Sequence, residues 1–160
     1  MKPIKRHPAL TELSKDHHFG LLLSWKIRKA KEFNIETSRV AKYIIHFFET
    51  DLEYHFKEEE ELLFTKLPKS DPMNIRANFE HKLMRDLIGK MKKDDSIDTI
   101  DEFSTILENH IRFEERELFD QIQESFSPIE LDSIGQELKS RIRPKTTMWS
   151  DVFWEVQHSY

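Results

Sequence analysis

Two segments 55 residues apart, His55 to Phe64 and His110 to Phe119, carry the same polar pair inside an apolar helical stripe. Aligned without a gap, they share His, Glu at +4, Glu at +5, Leu at +8 and Phe at +9. The phase constrains the fold more than the match does. The series Phe48, Leu52, His55, Glu59, Leu63 advances by four, three, four and four residues. The series Phe103, Leu107, His110, Glu114, Leu118 advances identically. Residues three and four apart lie on one face of a helix. Each His and its Glu therefore sit in a stripe that must face a core. An imidazole and a carboxylate are costly there unless something compensates them. Two such pairs facing each other can be compensated together by bound cations, for which a His and a Glu one turn apart supply nitrogen and oxygen donors.

The rest of the chain supplies helices to surround that core. Apolar residues recur at helical spacing between a few breakers, and the chain has only three Gly and six Pro in 160 residues. The spacing predicts helices from about Ala9 to Lys31, Ser38 to Lys66, Pro72 to Lys92 and Ile97 to Ser125. Ser127-Pro128-Ile129-Glu130 has capping-box spacing with Pro at the first helical position, so a fifth, shorter helix starts there and stops near Ile142. The tail, with Met148, Trp149, Val152, Phe153, Trp154 and Val156, is expected to form a last short amphipathic turn or helix against the bundle or a partner. The expected fold is all-α, an antiparallel four-helix bundle with a short C-terminal helical extension. One domain should span 1–160, with the bundle at about 9–126 and the extension at about 127–160.

Composition excludes several function classes. With no Cys, thiolate zinc sites, cysteine nucleophiles and cysteine-held iron–sulfur clusters are ruled out. A net charge of −5 gives no general attraction for a phosphate backbone, so nucleic acid is not an expected partner. No apolar run is long enough for a signal peptide or a membrane span, and the expectation is a soluble cytoplasmic protein without a membrane partner.

Two other helices offer further donors. On the third, Ala77, His81, Met84 and Ile88 form the apolar stripe, so His81 points inward. On the first, His17 and His18 are adjacent and cannot both do so. His17 lies on the more apolar line (Leu10, Leu13, His17, Leu21) and is favoured; Gly20, one turn on, removes bulk near it. His18 stays open as an extra ligand, a supporting group or an exposed neighbour. His7, His46 and His158 are not expected to ligate. In the run Glu58 to Glu61, only Glu59 has the inward phase, and the others read as a solvated face.

This ordered set resembles the hemerythrin-like HHE cation-binding domain: Asp16-His17 on helix one, His55 with Glu59 on helix two, Glu80-His81 on helix three, and His110 with Glu114 on helix four. The resemblance spans about Leu10 to Phe119. It implies a non-haem centre of two iron ions, with manganese or zinc also accepted by such donors, and Glu59 and Glu114 as candidate bridging carboxylates. Arg85 stands where oxygen-carrying hemerythrins have a second His, and Glu114 follows its His by four residues instead of five. These departures point away from reversible oxygen carriage and toward the broader bacterial-type HHE group. The expected function is binding or sensing of a small ligand such as oxygen or nitric oxide, or the handling of iron. The alternatives are a redox enzyme that reduces peroxide or oxygen, and an interaction module with a structural metal.

Overall fold

The computed structural model describes residues 5–143 and 148–155, and every regular element in them is helical. A 3₁₀ turn, Pro8–Leu10, leads into α1 (Thr11–Glu32), and a second, Phe64–Lys66, follows the third helix. Helix α2 (Thr37–Phe47) continues through a wide turn, Phe48–Leu52, into α3 (Glu53–Leu62). Then come α4 (Pro72–Met91) and α5 (Ile97–Phe113). A second wide turn, Glu114–Leu118, joins α5 to α6 (Phe119–Ser125), and α7 (Pro128–Ser140) follows. None of these helices is long and apolar enough to cross a membrane.

Local chemistry sets the ends. Asp71 accepts from the Met73 N–H with Pro72 at the first position of α4, and Ser96 accepts from the Thr99 N–H at the start of α5. The capping box expected at Ser127 and Glu130 is formed in full. Helix α1 ends with Asn34 at φ 54°, a conformation Asn tolerates better than most residues. Its N–H reaches Lys31 O and the Ile35 N–H reaches Ala30 O, which closes the free carbonyls in a Schellman motif.

The ten residues of the two matching series are all buried. The wide turns were not expected from their spacing. In each, one backbone N–H reaches back five residues, Glu53 to Phe48 and Phe119 to Glu114. The extra residue in the second turn lets Leu118 and Phe119 both face inward.

Two apolar clusters make the core. One gathers Leu23, Ile44, Leu52, Phe56, Met84, Phe103, Leu107 and Ile111. The other gathers Leu10, Leu13, Leu63, Ala77, Leu118, Phe119 and Ile134. Each long helical rod crosses from one cluster to the other, and the sense alternates along the chain. At every crossing lies a buried His or Glu: His17 in α1, His55 and Glu59 in α3, His81 in α4, and His110 with Glu114 around the second wide turn. Gly20 lets α1 approach α5, since a Cβ there would meet Ile111 Cδ1 at 2.6 Å. Its packing role is toward Ile111 and not toward His17. Gly135 seats α7 against Ala9, whose backbone would lie 3.3 Å from an added Cβ.

Residues 148–155 are not helical. They are fixed instead by the fully buried Phe153, by T-shaped contacts of Trp149 and Phe153 with Tyr43, and by a bidentate Arg39–Asp151 pair. The predicted end of the tail at Val156, and His158, lie outside the described residues.

Candidate metal centre

Six buried side chains meet where the apolar clusters are divided. One set of donor atoms, from His17, His55, Glu59 and Glu114, lies within 4.8 Å of one another, and so does a second, from Glu59, His81, His110 and Glu114. Both carboxylates belong to both sets. Glu59 Oε1 is 3.1 Å from His55 Nε2 and 3.2 Å from His81 Nε2, while its Oε2 is 3.8 Å from His17 Nε2. Glu114 Oε1 approaches His110 Nε2 and, at 3.6 Å, His81 Nε2, while its Oε2 is 3.1 Å from His17 Nε2. Despite these approaches, all four carboxylate oxygens and the Nε2 atoms of His81 and His110 make no hydrogen bond. Buried polar atoms are normally paired. Six that crowd together without hydrogen-bond angles form a donor set directed at shared points, and the O and N types suit a divalent transition metal.

The other imidazole nitrogens explain why the rings present Nε2. His55 Nδ1 bonds Asp16 at 2.9 Å, His81 Nδ1 bonds Glu60 at 2.7 Å, His110 Nδ1 bonds Glu80 at 2.9 Å and His17 Nδ1 bonds Glu115 at 2.7 Å. A carboxylate at Nδ1 keeps the proton there and leaves the Nε2 lone pair for a cation. The four bonds form a closed ring around the centre. Helix α1 gives Asp16 to α3, α3 gives Glu60 to α4, α4 gives Glu80 to α5, and the second wide turn gives Glu115 back to α1. Phe119 stacks on His17 and Phe56 on His81, which fixes those two ring planes.

Electrostatics agree with the geometry. Burial alone pushes the Asp16 and Glu60 carboxyls up, but their His and Arg partners outweigh it and hold both down at about 2. Burial opposes charge on His55, yet Glu59 and Asp16 raise it to about 10, and His81 is also raised well above its ordinary value by Glu114, Glu59 and Glu60. Glu114 is held well below the usual carboxylate range against its burial, chiefly by His110. The carboxylates around His55 and His81 thus favour the protonated imidazoles, and a cation at Nε2 would compete with those protons.

The structure brings six of the seven expected residues together and leaves one out. His18 is exposed beside Phe19 and does not join the cluster, because one residue along α1 turns it about 100° from His17. His46 packs on Trp149, and His7 caps the Pro8–Leu10 turn. The expectation that Glu58, Glu60 and Glu61 form a solvated face is corrected at two positions. Glu58 is 5% exposed and bound by Arg143, and Glu60 bonds His81 and Arg85. Their partners come from other elements, so the phase of their own helix did not reveal them. The one signal in the sequence is adjacency: Asp16, Glu60, Glu80 and Glu115 each directly neighbour one of the six. Arg85, the departure from the oxygen-carrier pattern, grips Glu60 and Glu53 with bidentate bonds.

Glu60 is accordingly not an inert neighbour of Glu59. Glu60→Ala should weaken metal binding by about 10- to 100-fold, the usual cost of losing a carboxylate behind a ligating His. Titration with a competing metal indicator reads this directly, and an unchanged affinity would count against the role given to the ring.

Comparison with known families fits this centre. A family model described as the Hemerythrin HHE cation binding domain matches residues 7–122, well over half of the chain. Neither the curated proteins nor the solved structures compared with the chain gave a match. The matched stretch holds all six clustered residues and the four carboxylates behind them. The chain belongs to the hemerythrin HHE cation-binding family.

Proposed function

We propose that this protein is a non-haem di-iron protein whose centre binds or senses a small ligand such as oxygen or nitric oxide. The observation that carries this reading is the donor set itself: four Nε2 atoms and two shared carboxylates, buried, converging and arranged as two overlapping groups. The alternation of the helical rods between the two apolar clusters supports an antiparallel four-helix bundle around that centre. His17, His55, Glu59 and Glu114 would hold one metal, and Glu59, His81, His110 and Glu114 the other. Manganese and zinc suit the same donors, and the preference for iron rests on family membership. Bound iron would supply redox-active coordination sites for a diatomic ligand.

The chain's own residues set the conditions. Asp16, Glu60, Glu80 and Glu115 keep the proton on Nδ1 of each ring. Phe56 and Phe119 exclude water from the ring faces. A cavity of about 380 Å³ includes His55 and Asp16 in its wall and is otherwise lined by Phe19, Leu22, Phe47 and Leu52 together with Lys26, Tyr43, Asp51 and Arg143.

Anaerobic reconstitution with iron(II) tests the reading. Elemental analysis should give two iron ions per chain, and exposure to oxygen or nitric oxide should give a coloured, reversible adduct. Repeated turnover of peroxide would favour the enzyme reading instead. Metal inert to all three reagents would leave only a structural role.

A further inference from the structure

Each carboxylate of the ring is itself held by an arginine, and the four arginines divide by origin. Glu60 is gripped by Arg85 and Glu80 by Arg76, both on α4. Glu115 is held by Arg6, which precedes the first helical turn, and Asp16 by Arg143, which follows α7. Neither Arg6 nor Arg143 lies on a helix that carries one of the six clustered residues. Both also lie outside the stretch that matches the family.

The division follows the two donor groups. Arg6 and Arg143 stand behind His17 and His55, which belong to one group. Arg85 and Arg76 stand behind His81 and His110, which belong to the other. The contacts are close. Arg143 donates to Asp16 Oδ1 at 2.8 Å and to Oδ2 at 2.6 Å, and Oδ2 is the oxygen that bonds His55. Its remaining bonds, at 2.6 and 2.9 Å, go to the buried Glu58. Arg6 reaches Glu115 Oε2 at 3.2 Å and lies 5.3 Å from the centroid of the Phe119 ring that stacks on His17. Charge-assisted, forked bonds such as those of Arg143 fix a carboxylate in both position and ionisation, while Arg6 holds Glu115 by one bond to its carboxylate and one to its carbonyl. The two flanking segments also touch each other, since α7 packs on Ala9 through Gly135.

We propose that the two metal positions are inequivalent: the one bounded by His17 and His55 is clamped by the segments flanking the helical core, through Arg6 and Arg143, and opens when they are displaced. The other is clamped from within α4 and does not depend on them. Arg6 and Arg143 are positioning residues that act through Glu115 and Asp16. This inference rests on the di-iron reading.

Release of metal from the full-length, iron(II)-loaded protein to a chromogenic chelator tests it. The wild type should release two equivalents. In Arg143→Gln and in Arg6→Gln, one equivalent should leave at least about tenfold faster while the other keeps its wild-type rate. Arg85→Gln should accelerate the equivalent that these two leave unchanged. Arg143→Lys, which keeps the charge and loses the fork, should restore part of the effect. Because Arg143→Gln also strands the buried Glu58, the double variant Arg143→Gln/Glu58→Gln restores charge balance there and should keep the fast single equivalent. Equal acceleration of both equivalents, or of neither, overturns the inequivalence. A wild type that never loads two equivalents fails the di-iron reading itself, and the inference with it.

Discussion

Glu59→Ala or Glu114→Ala should take metal content from two ions per chain towards none. The reason is geometric. Each carboxylate serves both donor groups, so deleting one removes an anionic donor from both positions at once. A His→Ala change touches one group, and His55→Ala should leave close to half of the metal. The loss is not offset by charge. With one buried carboxylate gone, four imidazoles face a single anion, and a divalent cation placed among them is destabilised further. His18→Ala is the matched control, since this exposed ring lies outside both groups. Elemental analysis after reconstitution decides the matter. Glu59→Ala protein that still holds two ions would require another bridging group.

Metal should also raise the stability of the fold by a wide margin. A ligand that binds only the folded chain contributes about 2.7 kcal/mol when present at a hundred times its dissociation constant. For a domain of this size that corresponds to roughly 5–10 °C in melting temperature per site. Chelation should lower the melting temperature by at least that amount, measured with metal removal verified. Acid should act in two stages. Protons return to the imidazoles first and displace metal, because the buried carboxylates favour imidazolium once the cation is gone. The metal-free fold then draws on carboxylates whose folded values are depressed. Asp16 and Glu60, at about 2, contribute stability that is fully present above their ordinary values near 4 and is lost as pH falls through about 2. Thermal unfolding followed across this range should show metal loss preceding the drop in metal-free stability. Coincidence of the two would indicate that the ring collapses with the metal.

The inward placement of His17, His55, Glu59, His81, His110 and Glu114 was legible in the sequence because each lies in the apolar stripe of its own helix. Burial of a helix face is a local property, and a period of 3.6 residues reports it. The second tier was not legible for the same reason. Glu60 and Glu115 are turned away from their own stripes, yet each turns toward the Nδ1 atom of a ring on another helix. Adjacency to a clustered residue is the one trace of them in the sequence, and the packing of helices is what identifies the partner. Arg6 and Arg143 are further removed still, since nothing local distinguishes them from surface arginines. The wide turns at Phe48–Leu52 and Glu114–Leu118 escaped because a one-residue insertion barely disturbs a stripe that already tolerates spacings of three and four. Of the turn or helix expected for the tail, residues 148–155 take the turn, because their tertiary anchors, Phe153 and the Arg39–Asp151 pair, outweigh local periodicity.

The ring of carboxylate–imidazole bonds has a consequence for how the two halves of the chain relate. Two bonds, Asp16 to His55 and Glu80 to His110, stay within a half. The other two, Glu60 to His81 and Glu115 to His17, cross between halves, one in each direction. The crossing acceptors, Glu60 and Glu115, occupy the same place in the repeat, and the imidazoles that donate to them, His81 and His17, each directly follow an acidic residue. This is the reciprocity of an isologous interface, in which one surface meets its own equivalent across a twofold axis. In its bond pattern the ring resembles a homodimer written into one polypeptide. Joining the halves allows what a true twofold dimer forbids, namely that its two equivalent sites differ, and the four arginines are where this chain departs from its own symmetry.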